Sequence, residues 1–346
     1  MRPAAPFASP DPPSDAPGGN PELSVVIPVF NERENVDALL ARLRPVLAGL
    51  GRPYEIIYVD DGSRDGTAER IAALTAADRC LRLVRLSRNF GHQAALVAGL
   101  AHARGAAVIT LDGDLQHPPE LIPRLVERWA AGDDVVQAIR REPADASALK
   151  RAGSRGFYRL LSLLTRLHMT PGAADYRLLS RAALTAFLAC GERCRFNRGL
   201  VQWIGFPYSE VPYEAEPRFA GRSKYSWRAM LRLAGDAIFS FSSWPLRLAG
   251  LVGGVVSGAA TLYLLYVVAA RLFYPEYVER GWSSILATVL ILGGLNLLVL
   301  WILGEYVGRV YEEVKQRPIY IVRPTPREPR AARKAVDATP PAAGDR

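Results

Sequence analysis

Two carboxylates one residue apart, Asp112 and Asp114, follow the run Val108-Ile109-Thr110-Leu111 and precede Gln116 and a Pro118-Pro119 pair. The apolar run reads as a buried strand, and ligands collect at the carboxyl ends of strands in an open α/β sheet. Hard oxygen ligands at this spacing suit Mg²⁺ or Mn²⁺, with coordination positions left for diphosphate oxygens and water. A lone Asp-x-Asp is most often a solvated turn. The strand before this one and the proline-started helix after it set it apart.

Asp60 and Asp61 end an earlier apolar run in the same way. Adjacent acids repel, so the pair points to a cation or to a ligand such as a uracil N–H or a ribose hydroxyl. Asp65 and Thr67, just beyond, read as a turn and helix cap. The first apolar run ends Ile27-Pro28-Val29-Phe30-Asn31-Glu32, where Asn31 is expected to cap a helix and Phe30 to stack on a base. A fourth ends Ser87-Arg88-Asn89-Phe90-Gly91-His92 and offers a cation, Arg88, and a conformationally free Gly91 to phosphates.

These groups need a frame. Apolar runs at 23–28, 54–59, 81–86, 106–111 and 135–139 alternate with helical periodicity at 33–50, 67–77, 93–103 and 119–131. The alternation predicts an α/β, Rossmann-like, mostly parallel sheet with crossover helices, bringing four strand ends to one face. From 143 to 244 the pattern is less regular, and cations stand among aromatics. Arg177, Arg222 and Lys224 are candidates for binding a phosphate, the two arginines because guanidinium forks match its oxygens and the lysine as a point charge. Arg155 and Arg181 fit that role and a lipid-facing basic surface equally.

The chain has 346 residues and a formal charge of +9, which calls for an anionic partner: nucleic acid, anionic lipid or a phosphorylated substrate. No nucleic-acid-binding module is present, and the basic residues cluster beside apolar segments, which favours the latter two. The cysteines, Cys80, Cys190 and Cys194, have no metal-ligand spacing and read as reduced thiols. Segments 248–270 and 283–303 hold no charged residue and are each close to the length that crosses a bilayer. Cations after Leu303 place both termini in the cytoplasm by the positive-inside rule. The expected organisation is a disordered leader at 1–20, a catalytic domain at 21–225, an interfacial amphipathic or core helix at 226–245, two membrane helices within 246–304, and a basic tail at 305–346.

The motifs Ile27-Pro-Val-Phe-Asn-Glu32, Val59-Asp-Asp-Gly-Ser-Arg-Asp-Gly-Thr67, Ser87-Arg-Asn-Phe-Gly-His-Gln-Ala-Ala95 and Leu111-Asp-Gly-Asp-Leu-Gln-His-Pro-Pro-Glu120 resemble the ordered motifs of family 2 glycosyltransferases. More narrowly they resemble the polyprenyl-phosphate branch, as do Asp175–Arg181 and Gly221–Tyr225. The resemblance implies a glycosyltransferase A fold, inverting hexose transfer from a nucleotide-diphosphate sugar, and metal held by Asp112, Asp114 and Gln116. It implies a uridine pocket from Pro28, Phe30, Glu32, Asp60 and Asp61, with Phe30 where many relatives carry Tyr. Asp175 resembles a residue proposed as the base, or it orients Arg177 or Arg181. UDP-glucose is the first expected donor, with GDP-mannose, UDP-aminoarabinose derivatives and UDP-N-acetylhexosamine behind it. Undecaprenyl phosphate is the expected acceptor, at a bacterial inner membrane. A homo-oligomer is expected. A processive synthase is disfavoured because Gln-x-x-Arg-Trp is absent; a non-catalytic nucleotide-sugar-binding scaffold is the remaining rival. His117 stands close enough to the acidic motif to touch the site, while His92, His102 and His168 have no assigned role.

Overall fold

The computed structural model describes residues 20–141, 170, 172–192, 197–214, 244–273 and 282–324. Arg155, Arg222, Lys224, Cys194, His168, nearly all of the leader and of segment 226–245, and the tail beyond Pro324 lie outside the described residues.

Strands β1 (Leu23–Val29), β2 (Tyr54–Asp60), β3 (Leu81–Arg85) and β4 (Ala107–Thr110) alternate with helices α1 (Arg33–Gly49), α2 (Thr67–Ala77) and α3 (His92–His102). A 3₁₀ turn, Pro119–Leu121, leads into α4 (Ile122–Ala130), then β5 (Val135–Arg140), β6 (Ala173–Ser180), α5 (Arg181–Ala189), α6 (Asn197–Trp203) and β7 (Tyr208–Tyr213). The sheet order is β3-β2-β1-β4-β6-β5-β7. The first four strands are parallel, with Val29 opposite Asp60 and Val26 opposite Thr110, so their carboxyl ends share one edge.

Alternation along each strand feeds two apolar layers. Val25 and Ile27 face one, with Leu39, Leu43 and Leu47 of α1, Ile71 of α2 and Leu125 of α4. Val26, Ile57 and Val59 face the other, with Ala95 to Ala98 of α3, Leu184 and Phe187 of α5 and Leu200 of α6. Burial on both faces explains why the parallel strands are mainly apolar rather than alternating. Gly99 lets α3 lie directly on the strands, since a Cβ there would sit 2.2 Å from Val26 Cγ1 and 2.8 Å from Val59 Cγ2.

The predicted α/β alternation up to residue 140 matches these elements within a residue or two at most ends. Two strands were not anticipated. β6 enters antiparallel between β4 and β5, and β7 completes the far edge parallel to β5. The reason β6 escapes a hydropathy reading is chemical: Asp175 and Arg177 interrupt its apolar run, yet both are buried.

Two long helices follow, α7 (Trp244–Phe273) and α8 (Trp282–Val314). Their stretches Trp244–Tyr263 and Ile291–Val314 are long and apolar enough to cross a membrane, and almost none of either is buried within the protein. Large apolar side chains such as Leu262, Tyr266, Leu297 and Trp301 stand 65–70% exposed. Apolar surface on this scale demands cover by lipid or protein. Both helices outrun the uncharged segments, and α8 continues past Leu303 on a helix-surface ion pair, Arg309–Glu305. Beyond α8 the chain returns to the sheet, where Val322 bridges antiparallel to Leu86 next to β3.

Candidate active site

The carboxyl ends of β2, β1 and β4 carry the three acidic or turn motifs, and backbone geometry binds them together. Asn31 adopts a left-handed φ of 55°. Its N–H donates to Ser63 Oγ (2.9 Å), and its side-chain oxygen accepts from the Arg64 N–H (2.9 Å). Asn31 thus laces the β1 turn to the β2 turn. It does not cap α1, whose N-cap is Glu32 and lacks a side-chain capping bond. The expectation of Asn31 as a helix cap is corrected accordingly, because the left-handed backbone turns its amide toward the neighbouring loop. Glu32 instead accepts from Asn35 Nδ2 at 2.5 Å. Asp65 accepts from the Thr67 N–H at 3.0 Å, satisfying the first turn of α2 as anticipated.

Asp60 and Asp61 differ in role. Asp61 accepts from the Phe90 N–H (2.7 Å) through one oxygen and from the Gly91 N–H (3.0 Å) through the other, so it latches the loop after β3. Burial raises its pKa, and the repulsion of Asp60 adds to this against those two hydrogen bonds. Gly91 sits at φ 97° and Gly62 at φ 73°, where a Cβ on Gly62 would lie 2.6 Å from the Arg88 carbonyl carbon. Only glycine lets these two loops meet at this distance. Asp60 accepts from the Ser63 N–H, but its Oδ2 makes no hydrogen bond and has Arg85 Nε at 3.6 Å. Arg88 is exposed and lies over the Phe90 ring, 4.3 Å from its centroid.

Asp112 is the partly open group. Its side chain is 27% exposed, and its Oδ1 makes no hydrogen bond although His92 Nε2 lies 3.5 Å away. Its other oxygen is 3.6 Å from His117 Nδ1. His117 is buried and stacks on Tyr176 at 5.2 Å between centroids, with Tyr213 edge-on at 5.8 Å. An aromatic floor therefore holds the acidic turn from below. Leu115 takes a left-handed φ of 62° inside that turn, and Asp114 accepts from the Gln116 N–H at 3.1 Å. Among the described residues no three His, Cys, Asp or Glu side chains form a closed metal cage. Two carboxylates, one with a buried oxygen lacking a hydrogen bond, fit instead an open Mg²⁺ or Mn²⁺ site completed by ligand oxygens.

One strand over, Asp175 is saturated. Its carboxylate accepts from Arg177 Nη2 (2.6 Å), Arg198 Nη2 (3.2 Å) and Gln93 Nε2 (3.1 Å), and His92 Nε2 lies 3.6 Å away. Burial alone would raise its pKa, but Arg198, His92 and Arg177 together hold it well below the usual carboxylate range. The His92 ring is 44% exposed, and against the desolvation that would lower its pKa, Asp175 and Asp112 carry it up to about 9. Burial lowers Arg177, whose Nε makes no hydrogen bond.

The structure therefore brings Asp112, Asp175, His92, Arg177 and Arg198 together. It places Arg181 elsewhere: this side chain donates to the carbonyls of Ala103 and Gly105, at the amino end of β4. Because β6 runs antiparallel to β4, residues 175 and 181 fall at opposite ends of the sheet. Arg181 is thus not the partner of Asp175, and its guanidinium is bonded to carbonyls at the end of the sheet away from Asp112. Arg198 and His92 escaped the sequence reading. Arg198 lies in an irregular stretch with no motif spacing to mark it, whereas His92 directly follows the glycine of the fourth strand-end motif and could have been flagged there.

Comparison with known proteins identifies the family. Residues 24–187 match glycosyl transferase family 2. An uncharacterized glycosyltransferase of Synechocystis sp. is 40% identical over 301 residues, covering 87% of this chain and 94% of that one. The SfII prophage-derived bactoprenol glucosyl transferase of Shigella flexneri is 38% identical over 302 residues, 87% of this chain and 97% of that one. Among solved structures, glucosyl-3-phosphoglycerate synthase from Mycobacterium tuberculosis, in complex with Mn²⁺ and UDP-glucose, aligns with 63% of this chain and 77% of that one at 20% identity and a TM-score of 0.45, too distant to transfer any residue role. The acidic strand ends of the parallel sheet, and relatives matched along almost their whole length, make this chain a member of glycosyl transferase family 2 and a glycosyltransferase.

Proposed function

We propose that the chain moves a hexose, with inversion, from a nucleotide-diphosphate sugar to a polyprenyl phosphate at the cytoplasmic face of a bacterial inner membrane, with UDP-glucose as the first donor to test. The observation that carries this reading is Asp112 at the end of β4. It presents a buried oxygen without a hydrogen bond beside an aromatic floor, on the sheet edge it shares with the acidic end of β2. Relatives named bactoprenol glucosyl transferase, 36–38% identical over 87% of the chain, supply the acceptor class.

Asp112 and Asp114, with Gln116, would hold Mg²⁺ or Mn²⁺. Bound there, the ion would neutralise charge on the leaving diphosphate. Pro28, Phe30, Glu32 and Asp60 would line the nucleoside pocket, with Arg88 and Gly91 near the diphosphate and Asp61 holding the loop that closes it. A phosphomonoester acceptor is already anionic near neutral pH, so its oxygen attacks without a strong base. Asp175 suits this economy. Its charge is balanced by Arg177 and Arg198, which makes it a poor proton acceptor and a good anchor for two guanidinium groups. Arg198, 27% exposed, is the cation through which this network would meet a substrate phosphate; Arg222 and Lys224, outside the described residues, remain proposed for the same role.

Two crossings by α7 and α8 would return the chain to the side it left. What supports that topology is the pairing of residues 321–323, after α8, with Arg85 and Ser87 of the catalytic domain that precedes α7. Accessibility labelling at residue 276 and after residue 327 checks it, with opposite sides expected.

The deciding experiment incubates purified protein with undecaprenyl phosphate and a panel of labelled nucleotide sugars. Lipid-linked hexose formed from UDP-glucose is the expected product. Transfer from none of the panel would sink the reading.

A further inference from the structure

β3 is the outermost strand of the sheet, and its outer edge leads straight into the loop Ser87–Gly91. A bare edge of this kind exposes unpaired backbone groups. Here the edge is covered by a segment more than 230 residues away in sequence, beyond both apolar helices. The Ser87 N–H donates to the Ile321 carbonyl at 2.8 Å, and the Arg323 N–H donates to the Arg85 carbonyl at 2.7 Å. Leu86 and Val322 face each other across this antiparallel bridge. Tyr320 and Val322 are half-buried against the same apolar layer that receives Phe90.

The opposite side of the loop is the acidic end of β2. The Leu86 N–H donates to the Asp60 carbonyl, and the Phe90 and Gly91 N–H groups hold the two oxygens of Asp61. Loop Ser87–Gly91 is thus gripped from two sides, by Asp60-Asp61-Gly62 and by residues 320–323. The family match ends at residue 187, so nothing in it accounts for the second grip.

We infer that residues 319–323 are a positioning element of the donor site. Paired to the edge of β3, they fix the loop that Asp61 latches, and they join the pocket mechanically to the end of α8. The inference rests on the reading of the β2 and β3 ends as the donor pocket.

The test uses the full chain in detergent and measures UDP affinity by calorimetry, donor and acceptor KM, and melting temperature. Arg323→Pro removes the N–H that bonds Arg85 from a backbone already extended, and Arg323→Ala is the control that keeps it. A stop after Gln316 removes the whole strap, and a stop after Pro324 removes only the residues beyond it. Arg323→Pro and the shorter chain are expected to weaken UDP binding and raise donor KM by roughly tenfold, the scale of a lost backbone hydrogen bond, with acceptor KM little changed. Arg323→Ala and the stop after Pro324 are expected to bind UDP as the wild type does. Arg323→Pro with a lower melting temperature and unaltered UDP affinity overturns the inference, because the strap is then merely structural. A wild-type chain that binds no UDP overturns the donor pocket itself, and this inference with it.

Discussion

Asp112 and Asp175 stand at neighbouring strands of one sheet, share His92 as a neighbour, and are built to opposite ends. Asp112 is partly exposed, with one oxygen that makes no hydrogen bond. Asp175 is buried and receives two guanidinium groups and an amide. A carboxylate with an unmet oxygen costs free energy until a ligand arrives, whereas one that is fully paired has no such gain left to make. The difference is the one expected between a group that binds a ligand and a group that positions its neighbours.

The sharpest way to break that comparison is to remove each carboxylate and ask what is lost. Asp112→Ala deletes a proposed metal ligand and few internal bonds, so the fold should survive while activity falls by roughly a thousandfold or more, the scale of several kcal/mol of lost charge stabilisation. A chelator should do the same to the wild type, and Mn²⁺ or Mg²⁺ should restore it. Full turnover in chelator, or an unfolded Asp112→Ala chain, would place Asp112 among the structural acids instead.

Asp175 should behave in reverse. Arg177→Met leaves Asp175 with a buried, half-compensated charge, and removing one partner of such a pair costs about 3–5 kcal/mol. Adding Asp175→Asn to Arg177→Met should recover a large part of that stability, because both members of the fully buried pair are then neutral and the carboxylate lost to Arg198 is missed by a partly exposed guanidinium. Melting curves for the cycle read the coupling directly. Additive losses would mean that the 2.6 Å contact between them carries no energy of its own.

This contrast also marks how far the sequence could be read. The parallel half of the sheet was legible because each strand is a short, mainly apolar run ending in its own short motif, as Val108 to Leu111 ends in Asp112. Local pattern and local chemistry coincide there. On the other half they separate. β6 hides two ions inside the sheet, and the second cation that pairs with Asp175, Arg198, arrives from a helix more than twenty residues later. Arg181 shows the cost of reading cations by sequence proximity: four residues from Arg177, it emerges at the opposite end of the strand. The pairing of Val322 with Leu86 was equally hidden, since a five-residue segment after an apolar helix carries no signal of the edge it will cover.

The smallest expected effect is a slope. The pKa of Asp175 lies well below its ordinary value in the folded chain, because Arg198, His92 and Arg177 outweigh the burial that would raise it. A depressed folded value means that the pairing stabilises the fold above the unfolded pKa of about 3.9, and that this stabilisation is lost as pH falls below it. His92, with its pKa near 9, is protonated throughout that range in both folded and unfolded chains, so it adds no slope. The difference between the stability curves of wild type and Asp175→Asn reports on this group. Below about pH 4 the wild-type curve should fall more steeply by up to ~1.4 kcal/mol per pH unit, the limit for one proton taken up on unfolding. The variant starts lower, having left Arg177 without its anion, and the two curves should converge as the pH drops. Parallel curves from pH 5 to pH 2.5 would mean that Asp175 is not held in its charged form, and that its distinction from Asp112 is one of exposure alone.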